Sequence, residues 1–194
     1  MGTTTGHLVV CGIAGSLRRG SYNRALLRAA QELAPPDVEI RIFDRMAEIP
    51  LYNHDVEAEG VPEPVQALKR AIGEADALLF ATPEYNHGVP GVLKNAIDWA
   101  SRPARASVLS GKPAAILGAS TGITGTARAQ SQLREAFVFT NTPALLQPEI
   151  LVYRAKEKFD EEGRLTDDKT REFVGKLLHA LADWSRQLIT KGSS

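Results

Sequence analysis

The chain has 194 residues, 43% of them hydrophobic, and this length suits one α/β domain spanning residues 1–194 with a buried core. Lysine plus arginine and aspartate plus glutamate both number 23, and this zero net charge argues against a nucleic-acid binder and against a small acidic electron carrier. The single cysteine, Cys11, excludes an internal disulfide and favours a reducing compartment, the cytoplasm. The sequence predicts neither a signal peptide nor a membrane span, because no apolar run approaches about 18 residues.

The first third of the chain alternates between strand and helix patterns. Residues 7–14 form a continuous apolar run, typical of a strand buried on both faces, and apolar residues at helical spacing then predict a helix over 21–34. Residues 38–43 alternate as a second strand. A long connection is expected over 44–61, and a helix follows over 62–73.

The same alternation continues through the middle of the chain. A third strand is predicted over 76–81, a helix over 89–101 and a fourth strand over 112–118. Residues 126–138 are expected to be helical, and a short fifth strand is expected within 143–150. Five strands that alternate with helices predict a parallel sheet with right-handed crossovers, although this pattern alone leaves the strand order open.

The last forty residues predict a small hairpin and a long helix. A turn signal at residues 160–163 suggests a hairpin within 154–165, and the final helix is expected to begin near Thr166. Its spacing predicts an apolar face that packs on the sheet rather than a cofactor site, formed by Phe173, Leu177, Leu181, Trp184 and Leu188.

The loop after the first strand has the composition of a phosphate site. Ser16 and Ser21 offer hydroxyl groups, Arg18 offers a guanidinium, and the next helix points its N-terminus at the same place. The alternative is an ordinary turn in which Ser21 is only the N-cap. The loop lacks the Gly-Lys-Ser/Thr ending of a P-loop and the glycine fingerprint of a dinucleotide site.

The loop after the third strand is suited to the edge of a planar heterocycle. Backbone groups of residues 83–86 can pair with the donors and acceptors of a ring, and Tyr85 can cover its face. Glu84 could act as an acid or base, but an exposed loop carboxylate is usually only solvated. His87 has no partners at ligand spacing, so no metal ligand is predicted.

A third loop, residues 119–126, is rich in glycine and could admit a ring or a nucleotide. The alternative is a flexible lead into the next helix, with Thr126 as its cap. No Ser-His-Asp or Cys-His set stands at a motif spacing. The residues by themselves therefore predict a phosphate-bearing planar ligand at the edge of a flavodoxin-like sheet.

These three loops together resemble the NADPH-dependent FMN reductases, a family that includes bacterial quinone and chromate reductases and some azoreductases. The resemblance covers roughly residues 7–150 and is carried by residues 15–23, 83–86, 90–99 and 120–130. It implies a flavodoxin-like fold of strand order 2-1-3-4-5 that binds FMN where the order reverses. By this resemblance the phosphate would be held by Ser16, Leu17 (through its backbone), Arg18, Ser21 and Asn23, and the ring would be lined by Pro83, Glu84, Tyr85, Asn86 and Ser120.

The resemblance also implies an activity. NADPH or NADH would deliver hydride to flavin N5, and a small-molecule electron acceptor would then take its place, which predicts ping-pong kinetics and no catalytic acid or base. The acceptors would be quinones, free flavin, azo compounds or oxyanions such as chromate. A homodimer or homotetramer is expected, with Tyr52, Asn53 and residues 154–165 at the interface. The competing hypotheses are a flavodoxin-like electron carrier and a flavin-binding protein that never turns over.

Overall fold

The computed structural model describes residues 6–192. Its centre is a five-stranded sheet in which every neighbouring pair of strands is parallel and the order is β2-β1-β3-β4-β5, which confirms the predicted fold class. The strands are β1 (Leu8–Ala14), β2 (Val38–Phe43), β3 (Ala77–Ala81), β4 (Ala114–Ala119) and β5 (Ile150–Val152). The helices are α1 (Tyr22–Leu33), α2 (His54–Glu59), α3 (Glu63–Glu74), α4 (Gly91–Ala100), α5 (Ala127–Thr140) and α6 (Asp168–Gly192).

Helices cover both faces of the sheet, so its central strands are buried on both sides. In β3, Leu79 belongs to the core that α1 and α6 cover, whereas its neighbour Leu78 belongs to the core under α3, α4 and α5. All five residues of β3 are buried. This arrangement explains why the sequence of β3 is continuously apolar rather than alternating.

Two predictions about the connections are wrong in detail. The predicted long connection 44–61 contains the helix α2 and a short 3₁₀ turn over Met46–Glu48. The fifth strand shares only Ile150 with the predicted range 143–150; earlier in that range, Ala144 makes one isolated bridge to Ala114. A three-residue edge strand is recognised by its pairing with β4 rather than by its own short pattern.

The C-terminal helix packs on the sheet as predicted, and Leu177 and Leu181 of its predicted apolar face lie in the core. Its buried residues include Val174, Leu177, Leu178 and Leu181, whereas Phe173 is 38% exposed, so its assignment to the packed face is wrong. The small hairpin before it is reduced to one antiparallel bridge, between Phe159 and Leu165. None of the helices described within residues 6–192 has the length and apolarity that crossing a membrane requires.

Candidate functional site

A cavity of about 300 Å³ lies at the carboxyl ends of the strands, beside the point where the order reverses between β1 and β3. Eight of the ten predicted site residues line it: Ser16, Arg18, Ser21, Asn23, Pro83, Glu84, Tyr85 and Ser120. Leu17 and Asn86 do not, and Leu17 is half exposed beside a smaller cavity near the end of β2. Three further residues, Tyr22, Ala119 and Thr121, complete the lining.

The first loop brings hydroxyl groups, a cation and a helix N-terminus to one end of the cavity. Ser21 is the N-cap of α1, and its Oγ accepts a hydrogen bond from the backbone N–H of Arg24 at 3.3 Å. The guanidinium carbon of Arg18 lies 5.5 Å from the ring centroid of Tyr22, and within residues 6–192 no carboxylate pairs with it. Within these described residues, the backbone N–H groups of Tyr22 and Asn23 have no hydrogen-bond acceptor. This end of the cavity therefore has the electrostatics of an anion site.

Asn23 has a structural role that the sequence did not reveal. Its side chain is buried, with Nδ2 donating to the carbonyl oxygen of Ala119 and Oδ1 accepting from the N–H of Ala119, both at 2.9 Å. The amide thus joins the first turn of α1 to the end of β4. Through this pair of bonds, Asn23 fixes the distance between the first and third loops.

The second loop forms a tight hairpin over residues 85–88. Tyr85 and Gly88 exchange two backbone hydrogen bonds, of 3.1 and 2.9 Å, and the two residues between them have positive φ angles, 49° for Asn86 and 63° for His87. This combination is the signature of a type I′ turn. Tyr85 is 53% exposed, and its Oη lies 3.5 Å from Oγ of the buried Ser16. The phenol therefore lies at the boundary between the cavity and solvent.

Glu84 departs from the expectation of a solvated loop carboxylate. Its side chain is only 7% exposed, and one carboxylate oxygen accepts hydrogen bonds from the backbone N–H groups of Arg128 at 2.9 Å and Ala129 at 3.1 Å. The guanidinium of Arg128 approaches the other oxygen at 3.6 Å. The carboxylate thus satisfies the unpaired donors at the N-terminus of α5, where the helix dipole favours negative charge.

The third loop is held by backbone contacts on both sides. The N–H of Ser120 donates to the carbonyl of Val152, and the N–H of Ala155 donates to the carbonyl of Ser120. Thr126 is not a side-chain cap, because its Oγ1 instead accepts from Nε2 of Gln130 at 3.1 Å. These contacts fix the start of the loop at Ser120, whereas residues 121–124 are exposed.

Gly118 belongs to the site architecture although sequence reasoning passed over it. A Cβ atom at this position would collide with Oγ1 of Thr126 and with the backbone oxygen of Thr82. The close approach of β4 to both loops therefore needs glycine. The signal in the sequence was a glycine inside an otherwise apolar strand, which often marks close contact between backbones.

The remaining candidates lie away from the cavity. The ring of Tyr52 packs edge-on against Trp99 at 5.0 Å, and Asn53 caps α2 by accepting from the N–H of Asp55. Cys11 is buried in β1 as predicted, and burial raises its pKa to about 12. Among the described residues, no group of three or more His, Cys, Asp or Glu side chains could hold a metal ion.

Comparison with known proteins shows which family the chain is similar to. Residues 8–157 match the family of NADPH-dependent FMN reductases. The chain is 55% identical over 179 residues to an NAD(P)H-dependent FMN reductase of Pseudomonas aeruginosa, covering 92% of this chain and 96% of that one. It is 44% identical to a quinone reductase of Pseudomonas putida, covering 89% and 91% of the two chains. Among solved structures, FerB, a flavoenzyme NAD(P)H:(acceptor) oxidoreductase from Paracoccus denitrificans, matches with a TM-score of 0.84 and 38% identity, covering 93% and 98%.

Proposed function

Because the chain belongs to the NADPH-dependent FMN reductase family, we propose that it carries electrons from NAD(P)H through bound FMN to a small-molecule acceptor. It is an NAD(P)H-dependent oxidoreductase of the FMN reductase and quinone reductase type. The proposed acceptors are quinones first, because related enzymes are named for them, and then free flavin, azo compounds and oxyanions such as chromate. The proposed kinetic scheme is ping-pong, with donor and acceptor using one site in turn.

The observation that carries this proposal is a single cavity that offers an anion end and a flat end. The anion end has the hydroxyls of Ser16 and Ser21, the cation of Arg18 and the N-terminus of α1. The flat end has Pro83, Tyr85 and the loop that begins at Ser120. A volume of about 300 Å³ falls at the lower limit for small-molecule sites, as expected where part of the ligand stays accessible to a second substrate. These residues fit one phosphate and one planar ring, as FMN requires.

In the proposed mechanism the residues of this chain bind and orient. Arg18, Ser16 and Ser21 would hold the phosphate with charge-assisted hydrogen bonds, and Leu17 would contribute its backbone. The backbone N–H and carbonyl of Glu84 would pair with the edge of the ring, because those of Tyr85 pair with Gly88, and Ser120 would close its other side. The two-electron chemistry is supplied by the flavin when it is bound. Glu84 is engaged by α5, so proton transfer by this carboxylate is not part of the proposal.

The proposal extends to assembly and location. We expect a homodimer or homotetramer, with the segment around Tyr52 and residues 154–165 at the interface; Leu51, next to Tyr52, is an apolar side chain that is 83% exposed. A cytoplasmic location is proposed because the only cysteine is a buried free thiol. Molar mass by light scattering of the FMN-loaded protein tests the assembly, and a monomer would contradict it.

Two experiments test the function. The cofactor released by heat should be FMN rather than FAD, since the cavity has one anion end; FAD, or no flavin after saturation with FMN, would contradict the proposal. Anaerobic mixing of the FMN-loaded protein with NADPH and with NADH should bleach the flavin within the time of a turnover. A stable yellow colour would instead favour an electron carrier or a flavin-binding protein without turnover.

A further inference from the structure

Two side chains join the hairpin of residues 85–88 to helix α5. Glu84 precedes the hairpin and bonds to the backbone of α5, whereas Gln132 lies on α5 and bonds to the backbone of the hairpin and of Val89. We propose that Glu84 and Gln132 are positioning residues that hold this hairpin against α5 in the conformation that receives the flavin ring. This inference rests on the proposed function, because it assigns the hairpin to the flavin. Neither side chain is proposed to touch the reacting atoms.

Glu84 forms the first tie, immediately before the hairpin. Its carboxylate accepts from two backbone N–H groups in the first turn of α5, those of Arg128 and Ala129, across more than forty residues of sequence. The Glu84 side chain is only 7% exposed, and its bond from Ala129 is partly buried, whereas its bond from Arg128 lies at the surface. Removing the carboxylate would take the acceptor from both donors, and the loss is greater for the N–H of Ala129, because that bond is partly buried.

Gln132 forms the second tie, one turn further along α5. Its Oε1 accepts from the backbone N–H of Val89 at 3.1 Å, and its Nε2 donates to the carbonyl oxygen of His87 at 3.4 Å. A Cβ atom at Gly88 would lie only 2.9 Å from that Oε1, so the glycine lets the amide reach the backbone. The hairpin is therefore held at both of its ends by the same helix.

The hairpin needs such external support for two reasons. Asn86 and His87 both occupy the left-handed region, which side chains with a Cβ rarely adopt and which persists where the surroundings impose it. The hairpin also contains only one bridged pair, Tyr85 with Gly88, and a hairpin of that size is not stable alone in water. Its conformation therefore depends on α5.

This arrangement links all three loops of the cavity. Asn23 joins the first loop to the third, and Glu84 joins the second loop to α5, the helix that follows the third loop. Loss of Glu84 should free the loop that faces the ring while leaving the phosphate end in place. The consequence is specific: the ring half of the ligand should lose affinity, and the phosphate half should not.

The test compares FMN with riboflavin, which shares the ring but lacks the phosphate. Dissociation constants are measured by quenching of flavin fluorescence on the FMN-free protein. Glu84→Ala should raise the dissociation constants of both flavins by about tenfold. Arg18→Ala, by contrast, should raise that of FMN alone. Gln132→Ala should act in the same direction as Glu84→Ala, and the double variant should fall short of the product of the two effects, because both hold one hairpin.

Asp167→Ala is the matched control for the loss of a helix cap. Asp167 precedes α6, accepts from the N–H of Thr170 at 2.9 Å and from Nζ of Lys158 at 3.0 Å, and lies outside the cavity lining. It should lower the melting temperature without changing either dissociation constant. Glu84→Gln, which keeps one acceptor oxygen, should recover most of the flavin affinity that Glu84→Ala loses.

A measurement without flavin separates this inference from the function itself. Amide hydrogen exchange over residues 84–89 of the FMN-free protein should be faster in Glu84→Ala and Gln132→Ala, and unchanged in Asp167→Ala. Parental exchange rates in both variants, or parental riboflavin affinity in both, would overturn the positioning role. If Glu84→Ala fails to fold, Gln132→Ala alone decides, since its side chain lies on the exposed side of α5. If the parent binds neither flavin while both variants still exchange faster than the parent over residues 84–89, the proposed function is overturned and the support of the hairpin by α5 stands.

Discussion

Replacing Asn23 by alanine should destabilise the protein more than the loss of one polar side chain suggests. The variant removes both partners of Ala119, whose N–H and carbonyl each bond to the Asn23 amide at 2.9 Å in a buried setting. An unpaired buried backbone group costs about 1–3 kcal/mol, so two such groups cost about 2–6 kcal/mol. Against a total stability of about 5–15 kcal/mol, this is a large fraction.

The assay is urea denaturation of the FMN-free protein, followed by circular dichroism. Asn53→Ala is the control, because Asn53 also accepts one backbone hydrogen bond but at an exposed helix start, where a lost cap costs about 0.5–2 kcal/mol. Asn23→Asp keeps an acceptor for the N–H of Ala119 but places a carboxylate oxygen next to the carbonyl oxygen of Ala119. Because two acceptors repel each other there, this variant should not restore stability. If Asn23→Ala lowers the free energy of unfolding by less than about 1 kcal/mol, the two bonds between α1 and β4 do not anchor these elements to each other.

Three further predictions concern single side chains. Arg18→Ala should weaken FMN binding by one to two decades, since a charge-assisted phosphate contact contributes about 1.5–3 kcal/mol, and turnover at saturating FMN should change little; an unchanged dissociation constant in a fluorescence titration would make Arg18 a solvated surface residue. Glu84→Gln should leave flavin reduction at saturating NADPH within about tenfold of the parent in stopped-flow measurements, whereas a thousandfold loss with FMN still bound would make Glu84 catalytic. Cys11, whose pKa burial raises to about 12, should resist thiol reagents at about pH 8 in the native protein and react in urea. Because only the unfolded chain then releases the thiol proton, Cys11 should reduce stability as pH rises above about 8.5, and stability that is flat up to pH 12 would contradict this.

The alternation of apolar runs determined the architecture. β2, an edge strand, has the bounds that its alternating pattern predicts. β1, β3 and β4 differ from prediction by one or two residues at their ends, because strands buried on both faces need an uninterrupted apolar sequence. Residue types in the loops also pointed to the site, since hydroxyls, an arginine and glycines follow β1 where parallel strands end together. The sequence was enough to predict these strands and loops because each depends on residues that are close together in the chain.

The tertiary structure decided which polar side chains line the cavity and which hold the protein together. Glu84 has the sequence context of a solvated loop residue, yet its carboxylate is taken up by a helix that begins more than forty positions later. Asn23 pairs with Ala119 across 96 positions, and β5 exists as a strand through its pairing with β4. Phe173 fits the helical spacing and is still 38% exposed, whereas Val174 and Leu178 of the same helix are buried in the core against the sheet. Each of these outcomes depends on a partner that is distant in the chain, and a hydrogen bond or a packed face takes effect only when folding brings the partner within reach.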